Sequence, residues 1–172
     1  MIITVISGTA RNDSKTLRVA NLYHSLLQEK QAAEGEISEL HLLSLQGLPV
    51  WERGDELRRI EQEILIPSTH FIFVMPEYNG SFPGILKTMI DNTDIRSCWR
   101  GKKALLTGVA DGRAGNLRGL DHMTAVLQYL QMHVHWNKLP LSRINEEISA
   151  DGKLLKADTK AVIEAQIMGF LE

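Results

Sequence analysis

The chain has 172 residues, 44% hydrophobic and 23% charged, with 19 Lys and Arg against 21 Asp and Glu and a formal net charge of −2. That is the length of one domain able to bury a core without a disulfide or metal staple, and the near balance of charge excludes the basic surface of a nucleic-acid binder. No apolar run approaches the ~20 residues of a membrane span, the lone Cys98 has nothing to pair with, and no secretory leader opens the sequence, so the expected setting is the reducing cytoplasm and the expected ligand a small molecule.

In chain order, the β-branched run MIITVIS predicts a buried strand ending at Gly8. From Thr16 the period changes: Val19, Leu22, Tyr23, Leu26 and Leu27 form one helical stripe that runs out near Gly35. Ile37 to Leu43 predicts a second strand, and Leu57, Ile60 and Ile64 a second helix that Pro67 ends. Residues 69–75, THFIFVM, form the most uniformly apolar run, which predicts the centre of a sheet covered on both faces. A polar loop from Pro76 to Pro83 leads into a helix with Ile85, Leu86, Met89 and Ile90 inward. Residues 103–109 predict a fourth strand and 132–139 a last one; between them lies a helix carrying Leu120, Met123, Val126, Leu127 and Leu130. After a polar turn at 145–152, a helix over 157–171 presents Ile163, Ile167 and Phe170.

Five strands each followed by a helix imply right-handed crossovers and a parallel sheet. The expected fold is therefore α/β: a three-layer, doubly wound, five-stranded sheet in one domain spanning 1–172. In such sheets ligands bind beyond the carboxyl ends of the strands at the switch in strand order. Three loops of unusual composition, 8–15, 76–83 and 110–116, all follow such ends and should converge.

In the first loop Thr9, Arg11, Ser14, Lys15 and Thr16 precede a helix start, where free N–H groups, hydroxyls and a guanidinium suit a phosphate. The spacing lacks both a triphosphate-binding P-loop and a dinucleotide fingerprint, which favours one terminal phosphate. In the second, Pro76-Glu77-Tyr78-Asn79-Gly80-Ser81-Phe82-Pro83-Gly84, two prolines and two glycines fix the main chain so that backbone groups can border a planar ligand.

This second loop, continuing through Ile85-Leu86-Lys87, resembles the PEYN-x-S-x-PG-x-LK signature of the NADPH-dependent FMN reductase family. The first loop resembles that family's G-S-x-R-x-x-S segment, with Thr9 in place of the serine. Gly115-Asn116 stands where paired glycines are usual, and Thr88-Met89 where Asn-Ala is typical. The resemblance implies a flavodoxin-like fold with strand order 2-1-3-4-5, bound FMN, and reduction of free flavins, quinones or azo compounds by NADPH or NADH. It further implies that Thr9, Arg11, Ser14, Lys15 and Thr16 surround the FMN phosphate. By the same resemblance Pro76, Glu77, Tyr78, Asn79, Gly80 and Ser81 border the isoalloxazine, with Asp111, Gly112 and Gly115 on its pyrimidine side. A homodimer or dimer of dimers is implied as well.

Hydride chemistry belongs to the cofactor, so no side-chain acid or base is expected; N–H groups around Asn79 and Gly80 are expected to tune it. For Glu77 two roles stand side by side, an acid or a carboxylate that accepts local backbone N–H bonds. The spacing of His133 and His135 allows a metal edge, with packing the favoured role; Cys98 reads as a buried thiol, and Trp51 and Trp99 as edge packing or as covers for a flavin face or subunit contact. Two other functions compete with the reductase. An FMN-binding electron carrier is disfavoured by Arg11 and the mild net charge, and a flavin-free nucleotide enzyme by the absence of a placeable acid or nucleophile.

Overall fold

The computed structural model describes residues Met1–Glu172. The elements follow in order: β1 (Ile2–Ser7), α1 (Lys15–Glu34), β2 (Glu39–Ser44), α2 (Asp55–Ile60), a π-helical turn (Glu61–Leu65), β3 (His70–Pro76), α3 (Gly84–Asp91), α4 (Ile95–Cys98), β4 (Lys103–Val109), α5 (Leu117–Tyr129), β5 (His133–Val134), β6 (Leu139–Leu141), α6 (Ile144–Glu147) and α7 (Ala157–Leu171). The sheet runs β2-β1-β3-β4-β5, the order that the family resemblance implies, and every pairing is parallel, as expected from the alternation of apolar runs and helices.

Strand alternation divides the interior into two cores. Along β3, Phe71, Phe73 and Met75 point to a layer filled by Leu57 and Ile60 of α2, Leu86 and Met89 of α3, and Leu120, Met123 and Leu127 of α5. Ile72 and Val74 point the other way, to Val19, Tyr23 and Leu27 of α1 and Ile163, Ile167 and Phe170 of α7. Because both faces are covered, β3 carries no polar residue between Phe71 and Met75.

The single last strand expected over 132–139 is instead two short pieces. β5 pairs with Lys103 and Ala104, and β6 with Thr107 to Val109. Between them Trp136 is thrown out to 81% exposure. The reason lies in α7: the buried Gln166 inserts its amide here, Nε2 donating to Leu106 O (3.1 Å) and Asn137 O (2.8 Å). A side chain thereby satisfies the β4 carbonyl that a continuous edge strand would have bonded. Gln166 Oε1 in turn accepts from Tyr23 Oη (2.5 Å) and Thr107 Oγ1 (3.3 Å).

Candidate functional site

The carboxyl ends of β1, β3 and β4 lie side by side in the sheet, so the loops that leave them meet. They enclose a cleft of about 290 Å³. One wall is Arg11 to Thr16, the facing wall Pro76 to Tyr78, and the floor Val109, Ala110, Asp111 and Ile144.

The first wall is a run of main-chain donors. Ser14 caps α1, its Oγ accepting from Leu17 N at 3.0 Å. The amides of Asn12, Asp13, Ser14, Lys15 and Thr16 meet no acceptor within the chain. Five consecutive unpaired N–H groups at the positive end of a 20-residue helix make an anion nest. Arg11 has no carboxylate partner; its guanidinium lies 4.2 Å from the centroid of the Tyr78 ring. Lys15 Nζ reaches across to Asp111 Oδ1 (2.8 Å), which also accepts from Asn145 Nδ2 (2.9 Å), so first and third loops are tied at the cleft rim.

The second wall is a tight turn. Tyr78 N donates to Ser81 O (2.9 Å) and Ser81 N to Tyr78 O (3.1 Å), with φ +53° at Asn79 and +75° at Gly80. Asn-Gly is the pair that tolerates positive φ at both central positions, and the turn leaves the Asn79 and Gly80 amides unpaired. Tyr78 Oη bonds Thr9 Oγ1 at 2.6 Å, joining this wall to the first. The Glu77 carboxylate accepts no backbone N–H; the Glu77 amide donates to Val109 O instead (3.1 Å). Of the two roles read for Glu77, the carboxylate bond to local N–H groups is absent, while the main chain here continues the β3–β4 ladder for one more residue.

Thr9, Asn79, Gly80, Ser81, Gly112 and Gly115 do not line the cleft itself. Thr9 is buried behind Tyr78, and Ser81 Oγ bonds His122 Nδ1 of α5 (2.9 Å). Gly115 (φ +58°) backs onto Pro140, where a Cβ would stand 2.6 Å from the carbonyl carbon. Several contributors, Asp13, Val109 and Ala110 of the lining among them, were not picked out as site residues by the sequence reading. Asn145 opens the stretch at 145–152 that reads as a plain polar turn and Ile144 directly precedes it, and no local signal marks either. Asn12 sits among residues that were singled out. Asn116, fully buried, donates Nδ2 to Met75 O (3.1 Å) and Pro76 O (3.0 Å) and so props the second wall from below. The unusual residue beside Gly115 was its signal.

Other candidates sort into packing. Trp99 is buried against Phe71 (5.0 Å between centroids) and bonds Thr93 Oγ1 through Nε1 (3.0 Å). Burial, with the Glu61 carboxylate nearby, pushes the Cys98 thiol up to about 12. The His135 ring meets Phe170 edge-on at 5.9 Å, and no group of three or more His, Cys, Asp or Glu gathers anywhere. No helix is long and apolar enough to cross a membrane.

Comparison with known proteins places these features. The profile described as NADPH-dependent FMN reductase matches residues 1–144. A 2-hydroxy-1,4-benzoquinone reductase from Burkholderia sp is 25% identical over 171 residues, covering 94% of this chain and 90% of the relative. A quinone reductase of Pseudomonas putida is 31% identical over 140 residues, 76% and 71% of the two chains. Among solved structures, FerB, a flavoenzyme NAD(P)H:(acceptor) oxidoreductase from Paracoccus denitrificans, superposes with TM-score 0.78 at 24% identity, over 99% of this chain and 94% of that one. An archaeal flavodoxin shares the fold at TM-score 0.57 and 12% identity, over 99% and 94%.

Fold and cleft together define a flavodoxin-like mononucleotide-binding protein. The chain belongs to the NADPH-dependent FMN reductase family: it is an NAD(P)H-dependent flavin oxidoreductase whose cofactor is FMN.

Proposed function

We propose that this reductase, acting as one FMN-binding domain over residues 1–172, passes reducing equivalents from NAD(P)H to a small quinone. The reaction is NAD(P)H + H⁺ + quinone giving NAD(P)⁺ + hydroquinone, with the hydride pair reducing the ring and the proton drawn from solvent. FMN, when bound, relays the two electrons between donor and acceptor. The observation that carries the site is the run of five unpaired amides at 12–16 beside the unpaired Arg11, which fits one terminal phosphate. Ser14 and Thr16 add hydroxyls, and Lys15 adds charge that Asp111 holds in place. On the facing wall, Pro76, Glu77 and Tyr78 border the ring, and the Asn79 and Gly80 amides offer donors to its electron-rich edge. Ser81, Asp111, Gly112 and Gly115 complete the frame, Gly115 by allowing the third loop to close on Pro140. The quinone assignment is supported by the two relatives compared above, a 2-hydroxy-1,4-benzoquinone reductase and a quinone reductase.

Within this reading the protein is cytoplasmic, in keeping with one buried thiol, and forms a homodimer. The groove of α3, α4 and α5 holding Ile90, Ile95, Val126 and the exposed Tyr129 is the surface offered to the second copy. It lies on the same helix that bonds Ser81 through His122. Anaerobic mixing tests the function: the yellow protein should bleach with NADPH or NADH and recover its colour on adding quinone. A protein that holds FMN but fails to bleach with either nucleotide would be an electron carrier instead.

A further inference from the structure

Trp51 is 73% exposed, yet the chain on either side of it is held rigidly. Val50 is fully buried, and its carbonyl accepts from Asn92 Nδ2 at 2.8 Å. Two residues on, Arg53 Nε bonds Glu61 Oε2 at 3.0 Å. Glu61 is 1% exposed and uses its other oxygen to accept from the Asp94 amide at 2.5 Å. A buried carboxylate that accepts from both Arg53 and the Asp94 amide is a strong anchor. It fixes the 45–54 connection on α2 and the α3–α4 turn. The indole between these anchors packs on no core, although an indole buried elsewhere would remove 150 to 250 Å² of surface from water, an order-of-magnitude figure for aromatics.

The exposed indole stands over a groove of about 310 Å³ whose other sides are Thr9, Ala10, Arg11, Tyr78 and Pro83. This groove and the phosphate cleft share Arg11 and Tyr78, and the partition between them is the Arg11–Tyr78 stack. The Tyr78–Thr9 bond holds that partition upright. One compartment is therefore lined by amides and hydroxyls, and the next by an indole, a phenol ring, a proline and one cation. Its volume suits a one- or two-ring molecule rather than a protein segment, which would need a far larger surface.

We propose that Trp51 is a specificity-determining residue of the oxidoreductase, the platform on which a planar aromatic acceptor of the quinone class stacks. The proposal rests on the reductase reading above and names where its second substrate sits. Continuity with the cofactor cleft through two shared side chains distinguishes this groove from an ordinary surface hollow.

Three measurements on the FMN-loaded protein test it. With 1,4-naphthoquinone as acceptor, Trp51→Ala should raise KM about 5- to 10-fold with a smaller change in kcat, and Trp51→Phe should stay within about 2-fold of wild type. Ferricyanide, which needs no ring platform, should reoxidise Trp51→Ala and wild type at rates within about 2-fold. Without nicotinamide, 1,4-naphthoquinone should quench the fluorescence of Trp136→Phe protein, whose remaining indoles are Trp51 and the buried Trp99. That quenching should disappear when Trp51 is also replaced by Phe. An unaltered naphthoquinone KM in Trp51→Ala, an equal loss with ferricyanide, or a change in solution mass that accounts for the kinetics would overturn the proposal; the last outcome would make Trp51 a subunit contact. A wild-type protein that takes up no FMN would instead defeat the underlying reductase reading, and quenching would then report on the groove alone.

Discussion

Asn116 and Gly119 show how one departure from a family pattern is absorbed by its surroundings. Asn116 adopts φ +67° and carries two bonds into the loop after β3. A Cβ added at Gly119 would fall 2.1 Å from its Oδ1. Gly119→Ala should therefore destabilise the protein by ~2 kcal/mol in urea unfolding. In an Asn116→Gly background the sign should reverse, because only the helix preference for alanine, about 1 kcal/mol, is left. Equal effects in both backgrounds would mean that the two residues are not coupled. His70 is a second residue with a sharp signature. Burial, then the charges of Lys103 and the chain's amino terminus, lower its pKa to about 4, and its Nδ1 bonds Thr69 Oγ1 at 2.8 Å. The unfolded chain takes up a proton near 6.5 that the folded one refuses. Stability should thus be full above about pH 6.5 and fall by on the order of 2 kcal/mol as pH drops toward 4. His70→Phe should flatten that part of the profile, and an undiminished slope would assign it to other groups.

At the scale of elements, the β4 edge and α7 depend on each other. Gln166 serves Leu106 O, Asn137 O, Tyr23 Oη and Thr107 Oγ1 from one buried amide. Gln166→Ala should cost about 2–4 kcal/mol, since several buried groups lose their partner together. Amide exchange would show the loss concentrated in β4, β6 and α7; a uniform change across the sheet would argue against this local account. The α1 start is the functional counterpart. Arg11→Ala should weaken FMN binding about 10- to 100-fold in a fluorescence titration, while far-ultraviolet circular dichroism stays that of the wild type. The helix itself was readable from its stripe, and so was β3 from its unbroken apolar run. The interruption at 135–138 was not, because it is imposed by a glutamine nearly 30 residues later. Hydrophobic period reports which face is buried, not which polar side chain will arrive from another element to take a carbonyl.

For the whole molecule, two cores on opposite faces of one sheet hold the three loops at a single end, and the loops remain polar because they lie beyond both cores. A ligand that bridges them should stabilise the entire fold. FMN at about 100 times its dissociation constant should add ~2.7 kcal/mol, seen as a higher Tm. Riboflavin, which lacks the phosphate, should add much less at the same concentration. Equal stabilisation by the two would move the cofactor's tail away from the amide nest. The parallel sheet followed from the chain itself, because alternating apolar runs and amphipathic stripes are local properties and crossover handedness leaves few topologies, whereas the strand order came from the family resemblance. The PEYNGS turn was equally local, since Asn-Gly carries its own conformational preference. Only the tertiary structure decided that Ile144 and Asn145 join the cleft, that Asn116 props its wall, and that Trp99 is core while Trp51 stands exposed at the rim. Those outcomes depend on which distant segments become neighbours, and no window of sequence contains both sides of such a contact.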